Sequence, residues 1–240
     1  MINFANFFGS GVTAAVSTRD SGNMSLSYGD ASKSLDNRKA FLNTLGIDYR
    51  SLVCAKQIHA SRISYISEDK LGRGALRYEE AIADTDALVT DRRNLPLAVF
   101  TADCLSVFLY DPSTPAISVV HAGWRSSREE IVLKTIKFMQ DKFNAAPEKL
   151  LAAFGPCIRS CCYEVSGEFL EFFPDNLIKK DSRDYLDLSA VNKKQLLASG
   201  LREPNITDCR MCTFCRNTDF FSYRKESELA GRMMSVMMLK

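Results

Sequence analysis

Residues 97–125 read LAVFTADCLSVFLYDPSTPAISVVHAGWR, three apolar runs cut by short polar turns. The runs Leu97–Thr101, Val107–Tyr110 and Ala116–Val120 are rich in β-branched and aromatic residues. Each is too short for an amphipathic helix and suits a strand. Asp103-Cys104 follows the first run and His121 ends the third. The other histidine of the chain, His59, ends a similar apolar-flanked run in KQIHASRI, residues 56–63. Both imidazoles and one thiol therefore fall at the ends of expected strands, where a rigid sheet presents chemistry at its edge. One sheet is expected to gather all three.

Zinc takes neutral imidazole and thiolate ligands; three protein ligands leave a position open for catalysis, whereas four close the shell. His59, Cys104 and His121 would be such an open set, spread too widely for a finger or ribbon. The same residues also read as two core histidines and a buried thiol. A third reading makes Cys104 a nucleophile and His121 its base, as in thiol hydrolases. Spacing alone leaves these three open.

Outward from this stretch, 240 residues with 46% apolar content can bury one sizeable core, so a single domain over 1–240 is expected. A net charge of +2 offers no field that points to nucleic acid. The opening MINFANFFGSGVTAAVSTRD lacks the charged and apolar regions of a secretory signal, and no apolar run is long enough to span a bilayer. Eight cysteines in such a chain fit reduced thiols. The expectation is a cytoplasmic protein with neither membrane nor nucleic-acid partners.

Before the central stretch, a strand is expected over Gly11–Ser17 and a helix over Asp36–Leu45, stopped by Gly46. Gln57 lies two residues before His59, on the same face of an extended chain, and is a candidate substrate-lining residue. Asp84, Asp86 and Asp91 bracket the expected strand Ala87–Thr90 and are candidates to hold imidazole N–H groups, Asp91 being better read as a turn former. After it, a helix is expected from Ser126-Ser127 to Phe143. A strand over Leu150–Phe154 follows, then a helix beginning near Tyr163-Glu164 and a charged loop over 174–186. The remainder reads as a helix over Leu188–Leu197 and strands over Ile206–Met211, Phe220–Tyr223 and Met233–Leu239.

Arg125, just after the His121 strand and beside Trp124, is the candidate anion binder, with Arg224 and Arg232 as further ones. Glu164 is a candidate acid/base. Cys209-x-x-Cys212-x-x-Cys215 has a spacing that suits zinc or an iron–sulfur cluster, with Cys157, Cys161 or Cys162 as the source of a fourth ligand. Strand alternation, however, sends Cys209 and Cys212 to opposite faces, so free and mostly buried thiols are expected there.

ADTDALVTD, LAVFTADCLSVFLYDP, VVHAGWRS, AAFGPCIRSCCYEVSGEF and FFSYRKESELAGRMMSVM occur in the order found in one family. The chain resembles the laccase-domain proteins, first called polyphenol oxidases and later described as multifunctional purine nucleoside phosphorylases. The resemblance implies an α+β domain with mixed sheets sandwiched between helices, layered α/β/β/α. It implies one zinc ion on His59, Cys104 and His121, with copper as a possible substitute because divalent copper competes well at nitrogen sites. It further implies phosphorolysis of purine nucleosides, including methylthioadenosine, and adenosine deamination; for that chemistry the residues themselves offer Cys104, Arg125 and Glu164 as catalytic candidates, and Gln57 and Arg125 toward substrate and phosphate. Relatives have also been proposed as peptidoglycan-editing factors and the fold resembles toxin deamidases, which keeps a Cys/His hydrolase or deamidase on a cell-wall peptide as the alternative. A polyphenol oxidase is not expected, since two histidines cannot furnish a trinuclear copper cluster. Where many relatives carry Leu-Asn-Leu, this chain has Ser25-Leu26-Ser27.

Overall fold

The computed structural model describes all residues from 1 to 240. Its strands, in chain order, are Ile2–Asn3 (β1), Val12–Val16 (β2), Val53–Cys54 (β3), Ile63–Tyr65 (β4), Ala87–Thr90 (β5), Leu97–Thr101 (β6) and Leu105–Asp111 (β7). Ala116–Ala122 (β8), Leu151–Phe154 (β9), Glu164–Val165 (β10), Leu177–Lys180 (β11), Arg183–Leu186 (β12), Ile206–Asp208 (β13) and Met233–Leu239 (β14) complete them. The helices are Ala5–Phe8 (α1), Ala31–Asn43 (α2), Trp124–Arg128 (α3), Ile131–Phe143 (α4), Phe169–Phe172 (α5), Leu188–Ala198 (α6) and Tyr223–Glu226 (α7). No helix is long and apolar enough to cross a membrane.

The expected three strands of the central stretch form, but in two sheets. β7 and β8 make an antiparallel hairpin from Leu105↔Ala122 to Asp111↔Ala116. Its turn is closed by the Asp111 carboxylate, which accepts the Ser113 N–H at 2.7 Å and the Thr114 hydroxyl at 2.7 Å. The hairpin sits inside a mixed sheet ordered β13-β9-β7-β8-β5-β4. β6 belongs to the other large sheet, ordered β1-β2-β14-β6-β3.

Strand alternation then builds the layers. Ile117 and Val119 of β8 face Val99, Met233 and Met237 of the other sheet in one core. Ala116, Val120 and Ala122 face Ile131, Val132, Ile136 and Met139 of α4 and Val191 of α6 in a second. Ala15, Ala98, Met234 and Val236 turn from the β1-β2-β14-β6-β3 sheet toward Phe41 and Leu42 of α2 in a third. This is the α/β/β/α order, with strands apolar on both faces because both are covered. Each fully buried Val, Ile, Leu, Met or Phe side chain contributes roughly 1.5–3 kcal/mol.

Five local expectations are corrected. The helix expected from Ser126 is split into α3 and α4, with Glu130 in the left-handed region at φ 61°. Ser126 and Ser127 do not cap α4. The Ser126 hydroxyl donates to the carbonyls of His121 and Gly123, and Ser127 exchanges hydrogen bonds with Asn192 of α6. Tyr163-Glu164 starts the short strand β10 rather than a helix. The charged stretch 174–186 holds the β11–β12 hairpin, turned by Asp181 and Ser182 at φ 46° and 62°. Its side chains are largely exposed, so it shows no apolar alternation. Phe220–Tyr223 forms no strand, and β13 stops at Asp208, whose carboxylate takes the Arg210 N–H at 2.7 Å.

Candidate active site

The three candidate ligands meet at one end of the sandwich, where β6 ends, β7 begins and β8 ends. His121 lies within β8, on the face turned toward the other sheet, and is buried. Cys104 immediately precedes β7. Asp103 sets its place: at φ 95° it accepts the Thr213 hydroxyl at 2.6 Å and the Arg224 N–H at 2.6 Å, while its own carbonyl takes the Ile158 N–H at 2.9 Å. Asp103 is thus a brace for two distant segments. His59 ends no strand; it sits in the link that crosses from β3 of one sheet to β4 of the other. The junction of both sheets, and not a single sheet, gathers the trio.

Asp86 is the residue around which the link folds. It is fully buried, and its carboxylate accepts N–H groups from Ile58, His59 and Ala60 at 3.2, 3.0 and 2.9 Å. Three successive amides converging on one carboxylate turn the chain, and His59 takes a left-handed φ of 61° to do so. The same carboxylate lies 2.8 Å from His121 Nδ1, which leaves Nε2 facing the other two ligands. Of the three acidic candidates only Asp86 has this role. Asp84 pairs with Arg62, and Asp91 accepts the Tyr65 hydroxyl.

The ligand atoms of His59, Cys104 and His121 all lie within 4.8 Å of one another. The two imidazoles meet edge-on with centroids 4.7 Å apart. A Cβ at position 123 would sit 3.0 Å from Cys104 Sγ and 3.3 Å from His59 Cδ2, so Gly123 keeps this space clear. Burial pushes the Cys104 thiol up, but the His121 charge and hydrogen bonds from His121 and His59 prevail and bring it down to about 6. Burial likewise disfavours a charged His121, yet the Cys104 thiolate and Asp86 raise it to about 9. For Asp86 itself burial opposes ionisation, and the His121 ring with the Ala60 and Ile58 amides still holds the carboxyl below its ordinary value. Each group favours the charged form of the other, so between those values the metal-free pair is favoured as thiolate and imidazolium.

A cavity of about 670 Å³ opens on this centre. Its wall includes the Ser25–Tyr28 loop, the flat faces of Tyr78, Phe100, Trp124, Tyr163 and Tyr223, and Arg38, Arg125, Arg224 and Arg232. Three of these cations are committed. Arg38 donates to the carbonyls of Met24, Gly74 and Ala75, Arg224 to that of Glu164, and Arg232 to those of Ala230 and Gly231. Arg125 is exposed, rests 4.4 Å from the Trp124 ring and has no carboxylate partner. Gln57 lines the cavity, but its amide is paired with both backbone groups of Phe100, at 2.8 and 2.7 Å, and so extends the β3–β6 ladder by side chain. Glu164 is not in the wall; its exposed carboxylate pairs with Arg183 at 3.2 Å.

A second group of ligands lies in the cysteine-rich tail. Cys161, Cys162, Cys212 and Cys215 have their sulfurs within 4.8 Å of one another and can hold a metal. Cys209 and Cys157 are outside this group. Of the tail thiols expected to be mostly buried, Cys212 is buried, Cys209 half-buried and Cys215 exposed, and because β13 ends before Cys209 strand alternation does not govern Cys212.

Fold and centre together define a layered α/β/β/α protein with a thiolate and two imidazoles at the floor of a basic, aromatic cavity. The chain matches over residues 9–240 the family described as multi-copper polyphenol oxidoreductase laccase, and it belongs to that family. It is 30% identical over 212 residues to the purine nucleoside phosphorylase YlmD of Bacillus subtilis (strain 168), covering 85% of this chain and 76% of that protein. It is 32% identical over 212 residues to the adenosine deaminase RL5 of an unknown prokaryotic organism, covering 85% of this chain and 80% of that protein. The crystal structure of YlmD from Geobacillus stearothermophilus superposes with a TM-score of 0.92 at 28% identity, covering 96% of this chain and 93% of that one.

Proposed function

We propose that this chain is a zinc-dependent purine nucleoside phosphorylase that also deaminates adenosine. One observation carries the reading: a thiolate–bis-imidazole donor set and an unpaired arginine share one nucleoside-sized cavity. The names of the relatives supply the substrate class. The donor set fits zinc, because one soft thiolate and two imidazoles leave a coordination position open, and the clearance at Gly123 keeps the ligand atoms accessible. A zinc ion held there acts as a Lewis acid toward water or a substrate oxygen.

The chain's own residues do the rest. Aromatic faces at Trp124, Phe100 and Tyr163 accept a purine by stacking. Arg125 donates to phosphate with its guanidinium resting 4.4 Å from the Trp124 ring, so less order is lost on binding than from a free side chain. Phosphorolysis joins a phosphate oxygen to C1′ of the ribose as the bond to the purine nitrogen breaks; deamination exchanges the C6 amino group for a water oxygen. Only the first needs an anion in the cavity. Arg125→Met is therefore expected to keep the metal and to lower kcat/KM for phosphorolysis about ten- to a hundredfold, the worth of roughly 1.5–3 kcal/mol in a charge-assisted bond. Deamination should lose much less. Assaying both reactions on one preparation decides it, and equal losses would remove the phosphate role.

The thiolate–imidazolium pair of Cys104 and His121 also favours the Cys/His hydrolase reading, since it is the reactive form of a thiol nucleophile. The two readings separate on metal removal: a nucleophile works in the metal-free protein and a ligand does not. The same pair gives zinc binding a proton signature. Zinc needs the thiolate, present above about pH 6, and neutral His121, dominant only above about pH 9. Between those values binding should expel about one proton from His121, so affinity should rise about tenfold per pH unit. Below this window Cys104 is protonated as well and the dependence should steepen. Calorimetry in buffers of different ionisation enthalpy, with Cys161 and Cys215 replaced by serine so that one site is titrated, measures the proton count. No proton release near pH 7.5 (about midway in that window) would contradict the ion pair.

A further inference from the structure

The four-cysteine group lies outside the catalytic centre and serves no step of the proposed reaction. We infer that Cys161, Cys162, Cys212 and Cys215 bind one zinc ion as a closed tetrathiolate, a second and structural metal that staples the wall of the cavity.

Geometry carries the inference. Cys215 Sγ lies 3.6 Å from Cys161 Sγ and 3.3 Å from Cys162 Sγ, and all four sulfurs fall within 4.8 Å of one another. Zinc–sulfur bonds of about 2.3 Å in a tetrahedron set sulfurs roughly 3.8 Å apart, so small shifts complete the shell. A cubane cluster distributes its thiolates over separate irons and needs a wider set. Two local folds aim the side chains. The Cys162 and Tyr163 amides both donate to the Arg159 carbonyl, a tight turn in which the adjacent Cys161 and Cys162 need not point to opposite sides. Arg216 N–H donates to the Cys212 carbonyl, which folds Cys212-x-x-Cys215 into a single turn.

The position of the group shows what it holds. Cys157–Tyr163 and Asp208–Arg216 are joined by the Cys157↔Cys212 bridge and by the Arg159 guanidinium, which pairs with Asp208. Ile158 and Thr213, one from each segment, bond to Asp103, which fixes Cys104. Ile158 and Tyr163 also line the cavity. Four cysteine ligands leave no open position, so the metal's role is to lock these segments.

The test is metal content by mass spectrometry on the full chain, purified under reductant without added metal, alongside cobalt(II) substitution. The native protein should carry two zinc equivalents, and Cys104→Ala and the Cys161→Ser/Cys215→Ser double variant one each. The cobalt form of Cys104→Ala should show the intense thiolate-to-metal charge transfer of four sulfurs, and the double variant only the weak band of one. Should the double variant not fold, the Cys104→Ala spectrum decides alone. Cys104→Ala free of metal overturns the inference, as does iron in place of zinc or a Cys162–Cys215 disulfide in the reduced preparation.

Discussion

Cys104→Ala is expected to abolish phosphorolysis and deamination together and to release the zinc equivalent held with His59 and His121. The thiolate is the only anionic ligand of that set; with it gone, two imidazoles, only His121 of them buried, must alone hold a dication. Losing a catalytic metal removes several kcal/mol of transition-state stabilisation, and about 4 kcal/mol already corresponds to roughly a thousandfold in rate. Cys104→Ser should fare no better, because an alcohol does not ionise as the thiol does when held near 6. The measurements are zinc per chain and turnover of adenosine and inosine with and without phosphate. Zinc should also protect the native thiol from iodoacetamide. A Cys104→Ala protein with both its zinc and normal turnover would overturn the ligand assignment. A metal-free native protein that is fully active, and killed by alkylation of Cys104, would establish the nucleophile.

Much of this fold is legible where burial is two-sided. Leu97–Thr101, Ala116–Val120 and Met233–Leu239 are short, almost wholly apolar runs, and such runs signal strands whatever sheet they join. Sheet membership is not legible, because it depends on crossovers: β6 pairs with β14 near the chain's far end and not with its neighbour β7. The β11–β12 hairpin escapes notice for the opposite reason, its strands being solvated and charged. At the centre, the rarity of histidine exposes His59 and His121, and Cys104 follows from its place after a strand. Asp86 is harder to single out, since Asp84, Asp86 and Asp91 look alike in sequence and only the turn of Ile58–Ala60 selects among them. Glu164 misleads because Tyr163 and Glu164 resemble a helix start, whereas β10 turns the carboxylate outward to Arg183. The cysteine group needs two turns that break strand alternation, and neither has a signature of its own.

Asp86→Asn is expected to weaken zinc binding about ten- to a hundredfold, although no heavy atom is lost and Asp86 is not itself one of the candidate ligands. The carboxylate accepts on both oxygens: Oδ1 faces His121 and the His59 amide, and Oδ2 the amides of Ile58 and Ala60. An asparagine can accept on one side only. With its oxygen toward His121, its NH₂ group confronts two N–H donors and the Ile58–Ala60 turn that presents His59 is pried open. With its oxygen toward those amides, its NH₂ donates to His121 Nδ1 and drives the ring proton onto Nε2, the atom needed for the metal. Either flip damages one imidazole. A buried donor left facing another donor costs about 1–3 kcal/mol, so the thermal midpoint should fall as well. The loss of charge should lower the His121 pKa from about 9, visible in its proton-coupled imidazole resonances. This readout separates a positioning role from simple loss of packing, which would leave the titration of His121 where it is. Native zinc affinity in Asp86→Asn, with His121 titrating unchanged, would show that the carboxylate neither orients the ring nor holds the turn.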